Sequence, residues 1–302
     1  MNHLVEFQHP ELRDPVLLVA CAGWNDAAES ATMAARLLIR QWNAEVCAEI
    51  DPEEFFVFTE TRPHVRGADA ARRQIIWPQI RFFAAHVPDS SRDFLILLGV
   101  EPQLRWKTFV QVILDYAVAR GASVVLSLGG LLADVLHSRP PVLTGSISDV
   151  TLARRLAGLG LRRSHYEGPT GILGVLGAAS RDRGLISGSI WGNVPHYIAS
   201  TANPVVARAI VQTVASLFDL TLDLSELNHA AERFNAQIAQ AIAADPDVAN
   251  YVRQLEQRIP APPAEPESPE PPPPASGDLP SAETIVQQLE EFLRQRRQDE
   301  ES

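Results

Sequence analysis

A chain of 302 residues that is 46% hydrophobic and 21% charged has an ordinary globular composition, with room for one large α/β domain and a smaller appendage. Its formal charge of −11 is uneven, because the stretch from Ile259 to Ser302 holds ten acids and three arginines and so carries −7 of it. With no basic stripe and few aromatics a nucleic-acid partner is not expected, and with Lys107 the one lysine among 26 basic residues a Walker A loop is excluded.

The chain opens on Met1-Asn2-His3-Leu4-Val5-Glu6, which lacks the basic start and apolar core of a secretory signal, and no apolar run reaches membrane-spanning length. A cytoplasmic chain without membrane contact is the expectation. The run Val16-Leu17-Leu18-Val19-Ala20-Cys21 is nearly continuous in apolar residues, as suits a strand buried on both faces. It breaks at Gly23-Trp24-Asn25-Asp26, and Ala27, Ala28, Ala31, Ala34, Ala35 and Leu38 then recur at helical spacing. Asp26 with Glu29 three positions on has the pattern of a capping box. Cys21 and Cys47 fall in predicted strands and read as small buried thiols rather than a disulfide.

Glu45–Ile50 alternates and reads as a half-buried strand. Phe55-Phe56-Val57-Phe58-Thr59 and Gln74-Ile75-Ile76-Trp77 flank a polar segment, which predicts a hairpin excursion over residues 54–84, rich enough in aromatics for an oligomer contact. Strands follow at 93–99, 122–130, 141–146 and 186–191, with helices from Phe109 to Ala119 and from Asn203-Pro204 to Phe218. Between the last two strands, Gly171, Gly174 and Gly177 share nearly one face of a helix, spaced for close approach to a neighbour. Strands alternating with helices define an α/β class, doubly wound, with a mainly parallel sheet.

The pattern turns purely helical at Asp223. Leu224 to Ala244 is one long helix, and Asp245-Pro246-Asp247 stops it and starts another, which gives a core over 1–222 and a helical lid over 223–259. Residues 260–280 hold ten prolines and read as a solvated linker; Ser281 then caps an amphipathic helix over 281–302 that would dock on a protein partner.

In a doubly wound sheet, groups just after strands or at helix starts converge on one edge. Asn25, Asp26, Glu101, His137, Arg139, Glu167, Thr170 and His196 all hold such positions. A carboxylate, a histidine and an arginine gathered there would suit an anionic or ribose-bearing ligand, with His137 as acid or base. The alternative is a rigid turn at His137-Ser138-Arg139-Pro140 whose arginine pairs with Glu101 or Asp134, with Asp26 only a helix cap. The histidines lack zinc spacing and no Gly-x-Ser-x-Gly elbow occurs, so neither a metal nor a cofactor is expected and enzymatic activity is disfavoured.

Seven motifs in order carry a resemblance: Gly23-Trp24-Asn25-Asp26; Thr61-Arg62-Pro63; Gly99-Val100-Glu101-Pro102 with Arg105-Trp106; His137-Ser138-Arg139-Pro140; Tyr166-Glu167-Gly168-Pro169-Thr170-Gly171; Trp191 with Pro195-His196-Tyr197; and Tyr251-Val252 with Leu255-Glu256. Together, over roughly residues 15–258, they resemble the proteasome assembly chaperone 2 family in its actinobacterial branch. The resemblance implies a core like that of the purine nucleoside phosphorylases and related hydrolases, a C-terminal helical lid over the cleft, and a homo-oligomer, first of all a trimer. It implies a non-catalytic assembly role; a nucleoside- or small-anion-binding protein or hydrolase is the alternative. The chain departs from the family at Leu136, where many relatives have proline, and at its last residues, Gln298-Asp299-Glu300-Glu301-Ser302, in place of the hydrophobic-Tyr-X terminus used to dock on proteasome rings.

Overall fold

The computed structural model describes residues 3–67, 73–164 and 166–259. The expected linker and tail helix lie outside the described residues. Eight strands form one mixed sheet in the order β1 (Leu4–Glu6), β3 (Glu45–Ile50), β6 (Ile80–Ala85), β7 (Phe94–Val100), β2 (Val16–Ala22), β8 (Val124–Ala133), β10 (Ile186–Pro195) and β9 (Leu143–Ile147). The middle four, β7, β2, β8 and β10, run parallel, and the strands flanking them pair antiparallel. Helices cover both faces, so the sheet is the α/β arrangement that the alternation of elements predicts.

Strand β2 shows why a continuous apolar run is required at the centre. Val16, Leu18 and Ala20 enter one core, together with Ala31, Ala34, Leu37 and Leu38 of α1 (Ser30–Gln41) and Val206, Ile210 and Val214 of α5 (Pro204–Phe218). Leu17, Val19 and Cys21 enter the other, against Phe109, Ile113 and Tyr116 of α2 (Trp106–Ala119) and Ile172, Leu173 and Leu176 of α4 (Ile172–Asp182). Side chains alternate across a strand, so a residue of either parity at β2 must be apolar. Both cysteines are free and buried, and burial pushes the Cys21 and Cys47 thiols up, away from reactivity.

Several elements differ from the sequence expectations. Phe55 to Thr59 forms turns rather than a strand, and Phe55 is fully buried against Phe109 with ring centroids 5.2 Å apart. The hairpin is instead β4 (His64–Arg66) paired with β5 (Gln74–Ile76), a separate two-stranded sheet. Strand β6 and helix α3 (Val150–Gly158) are additional elements, α3 being capped by Asp149 Oδ1 accepting from Leu152 N at 2.9 Å.

Local caps behave as expected elsewhere. Asn203 Oδ1 accepts from Val205 N and Val206 N at 3.1 Å each, with Pro204 at the first helical position. Asp245 does the same for Asp247 N and Val248 N, ending α6 (Ser225–Ala244) and opening α7 (Pro246–Arg258). The α4 glycines permit close approach: Gly177 O accepts from Ser187 Oγ of β10 at 3.1 Å, and a Cβ on Gly171 would lie 2.7 Å from Asn25 Cγ.

Candidate functional site

The carboxyl ends of β2, β7, β8 and β10 lie side by side, and each delivers polar groups to the same edge of the sheet. After β2, Gly23 turns the chain at φ 122°, a conformation that favours glycine, and brings Asn25 and Asp26 inward, 1% and 7% exposed. After β7, Glu101 N donates to Ala22 O at 2.8 Å, so the two strand ends stay in register.

The Glu101 carboxylate joins three segments. Its Oε1 accepts from Asn25 Nδ2 at 2.6 Å and from Ile172 N at 2.7 Å, and Oε2 accepts from Trp24 N at 3.3 Å. Ile172 opens α4, whose N-cap Gly171 has no side chain to offer, so Glu101 takes the cap's place from another strand. A negative charge at that helix end is favoured by the unpaired N–H groups and the helix dipole. Asn25 Oδ1, by contrast, is buried without a hydrogen-bond partner, while Trp24 beside it is 63% exposed.

Asp26 caps α1, though not through the expected box. A short 3₁₀ turn, Ala27–Glu29, intervenes with Ala28 and Glu29 both at φ 50°, which delays the helix to Ser30. Asp26 Oδ1 therefore accepts from Ala31 N at 2.7 Å and Thr32 N at 3.2 Å, and Oδ2 accepts from Thr32 Oγ1 at 2.5 Å. Glu29 pairs with Arg36 instead of reaching back to the cap. Burial raises the Asp26 carboxyl pKa, against the opposing pull of these donors.

A second cluster forms where β8 and β10 end. Tyr197 OH accepts from His137 N at 3.0 Å and contacts His137 Nδ1 at 2.7 Å. One hydroxyl thus meets both the backbone N–H and the ring Nδ1 of His137, which fixes the orientation of the imidazole. Burial lowers the His137 pKa, with Glu256 pulling it back up, and burial raises the Tyr197 hydroxyl. His196 Nε2 meets Tyr251 OH at 2.6 Å, and its Nδ1 lies 3.2 Å from Asp134 Oδ1.

Helix α7 is tied to the loop after β8: Ser138 Oγ donates to Glu256 Oε1 at 3.2 Å, and Arg139 Nη2 donates to Ile259 O at 2.9 Å. Where the sequence suggests Glu101 or Asp134 as the partner of Arg139, the structure joins Arg139 to Ile259 O, Glu101 is engaged at α4, and Asp134 Oδ1 lies close to His196 Nδ1. A void of about 20 Å³, bordered by His137, Asn193 and Phe234, lies under this loop, and Asn193 Oδ1 is buried there without a partner. One water molecule fits such a space.

The eight sequence-predicted residues therefore divide. Asn25 and Glu101 touch; Asp26 adjoins them but serves α1; His137, Arg139 and His196 belong to the second cluster under α7. Glu167 is exposed and makes no hydrogen bond or ion pair among the described residues, and Thr170 is exposed with a long 3.5 Å contact to Gly171 O. Tyr197, Tyr251, Glu256 and Thr32 are the partners that the reading by position along strands did not select; the first three stand in motifs quoted above. Among the described residues no three His, Cys, Asp or Glu side chains converge where a metal ion could be held, and no helix is long and apolar enough to cross a membrane.

A mixed eight-stranded sheet covered by helices on both faces, with its polar groups at the ends of four parallel strands, defines an α/β protein of the kind the motif order implies. The chain belongs to the PAC2 family, whose model matches residues 20–242. It is similar to a solved Mycobacterium tuberculosis proteasome-assembly chaperone homologue, with 35% identity, a TM-score of 0.71, and 78% of this chain and 99% of that one covered. It is similar also to a PAC2 family protein from Streptomyces avermitilis, with 36% identity, a TM-score of 0.70, and 79% and 100% covered. Both relatives are actinobacterial. An archaeal proteasome activator from Pyrococcus furiosus shares the fold at 17% identity, with a TM-score of 0.64 and 80% and 99% covered. No curated protein matches the chain.

Proposed function

We propose that this chain is a non-catalytic interaction protein of proteasome-related assembly, working in the cytoplasm as a homo-oligomer, with a trimer the first arrangement to test. The observation that carries the non-catalytic reading is that the strand-end groups are already engaged by the fold. Glu101 caps α4, Asp26 caps α1, and His137 is half-buried and bonded to Tyr197 beside the loop that α7 ties down. A catalytic acid or base must face substrate with a proton to give or take, whereas the Asp26 and Glu101 carboxylates are taken up by backbone N–H groups at helix starts and His137 Nδ1 by the Tyr197 hydroxyl.

Family membership and the description of the M. tuberculosis relative as a proteasome-assembly chaperone homologue support the assembly role. The β4–β5 hairpin supports an oligomer contact, since Val65 and Ile75 stand exposed opposite each other in a two-stranded sheet apart from the main one, with the exposed Trp77 just beyond β5.

The test is a binding measurement between the full chain and purified actinobacterial proteasome α- and β-subunits, free and assembled. Saturable binding to unassembled α-subunits, and faster ring formation in its presence, is the expected result. Absence of binding to every subunit form overturns the proteasome reading, and the same measurement on a chain lacking residues 260–302 reports what that acidic segment adds.

The second reading, a nucleoside- or small-anion-binding site at the same edge, is favoured by one observation: Asn25 Oδ1 lacks a hydrogen-bond donor beside the exposed Trp24. A thermal-shift panel of nucleosides and small anions tests it. A ligand at a hundred times its dissociation constant stabilises by about 2.7 kcal/mol. A hit lost in Glu101→Ala that remains folded would favour this reading over the first.

A further inference from the structure

At the other edge of the sheet, where β10 begins and the antiparallel β9 ends, β9, α3 and residues 161–164 enclose a groove of about 550 Å³. Small-molecule sites commonly have volumes of this order. Its walls combine two chemistries. Ile147, Leu156 and Leu161 supply an apolar floor, and Arg154, Arg163 and Arg181 supply three cations.

None of these three arginines makes an ion pair with an acid among the described residues. Their neighbours behave otherwise: Arg155 on the same helix pairs with Asp219, and Arg183, two positions beyond Arg181, pairs with Asp115. The contrast matters because acids outnumber bases over residues 1–258 as well, 27 to 23, so partners are plentiful and yet, among the described residues, none is placed here. Three like charges around one groove repel, and an anion held among them removes that repulsion. Asp149, beside the groove in sequence, is committed to capping α3 through Leu152 N.

We propose that this groove binds a phosphate monoester carried on an apolar body. Guanidinium groups match phosphate oxygens in two-pronged hydrogen bonds, and a phosphate monoester approaches two negative charges at neutral pH, a better balance for three arginines than one carboxylate. The apolar body rests on Ile147, Leu156 and Leu161. The groove is separate from the strand-end clusters, so this proposal stands whether or not the assembly role does.

The experiment is calorimetric titration of the full chain with phenyl phosphate, inorganic phosphate and benzoate, repeated on Arg154→Gln/Arg181→Gln and on Arg163→Gln. All three side chains are exposed, and the thermal midpoint of each variant checks that it folds. Phenyl phosphate is expected to saturate, to bind more tightly than inorganic phosphate or benzoate, and to lose about tenfold or more in affinity in the double variant, as the loss of charge-assisted hydrogen bonds requires. Arg163→Gln is expected to weaken it as well, while Arg155→Gln, which removes a paired arginine of the same helix, leaves it unchanged. No saturation with phenyl phosphate, or undiminished binding in both variants, overturns the proposal.

Discussion

The Glu101 carboxylate accepts the first backbone N–H of the helix that begins at Ile172, at 2.7 Å, across 71 positions of sequence. The strand-end carboxylate that looks most like a ligand group thereby serves as the missing cap of a helix whose N-cap is Gly171. Removing it in Glu101→Ala leaves the N–H of Ile172 and the Asn25 amide without this acceptor. The expected loss is about 1–2 kcal/mol, read as a lowered urea midpoint with unchanged slope. Glu101→Gln keeps an acceptor oxygen and is expected to lose less. An unchanged midpoint in the alanine variant would mean that the carboxylate is free for a ligand.

Asp93 governs the acid limb of stability. Its side chain is wholly buried, and burial alone would raise its pKa. The Arg13 side chain and backbone, Val87 N and His86 together outweigh burial and hold it at about 2. An Asp lowered in the folded state contributes stability above its unfolded pKa of about 3.9 and loses it as the pH falls through the folded value. The contribution is on the order of 2 kcal/mol. Unfolding midpoints measured between pH 5 and pH 2, taken as about the two ends of this titration, should fall for the natural chain and fall less steeply for Asp93→Asn.

His137 titrates in the opposite range. Burial lowers its pKa and Glu256 opposes that shift, so Glu256→Gln is expected to move the imidazole pKa further down, measured by NMR titration of the ring. A base with a lowered folded pKa contributes stability above the unfolded value of about 6.5, lost as the pH falls through the folded one. An unchanged imidazole pKa in Glu256→Gln would show that α7 does not hold its carboxylate near the histidine in solution.

The hydroxyl of Tyr251 is a strap between α7 and His196. In Tyr251→Phe, amide exchange in residues 246–258 should quicken about fivefold, the effect of one lost hydrogen bond of about 1 kcal/mol, while the strands remain protected. Equal protection in both proteins would show that packing of Val252 and Leu255 alone holds the helix.

Gly130 lies where β8 meets the turn before α1. A Cβ there would stand 2.9 Å from Ala27 O and press on Ser30 Oγ. Gly130→Ala is expected to cost about 2 kcal/mol through backbone displacement, visible as a lower thermal midpoint.

Much of the fold was legible because its causes are local. The doubly apolar run at β2, and the Asn203-Pro204 and Asp245-Pro246 helix starts, each act within a few residues, and each stands where the pattern places it. The order of seven motifs was enough to mark the family. The rest was decided by contacts between distant segments. Phe55 and Phe56 left their β-prone run for turns because burial against Phe109 outweighs strand propensity. Asp26 and Glu29 did not close a box, because two left-handed residues push the helix start to Ser30.

In the candidate site, position along the strands selected the groups but not their partners. Sequence by itself placed Glu101 and His137 after strands β7 and β8 and at the same edge of the sheet. Only the tertiary structure decided that one caps α4 and that the other is bonded to Tyr197, 60 positions away. A hydrogen bond between such distant residues imposes no periodicity on the chain, so it leaves no pattern there, whereas a helix cap or a buried strand must repeat its chemistry within a few residues of itself.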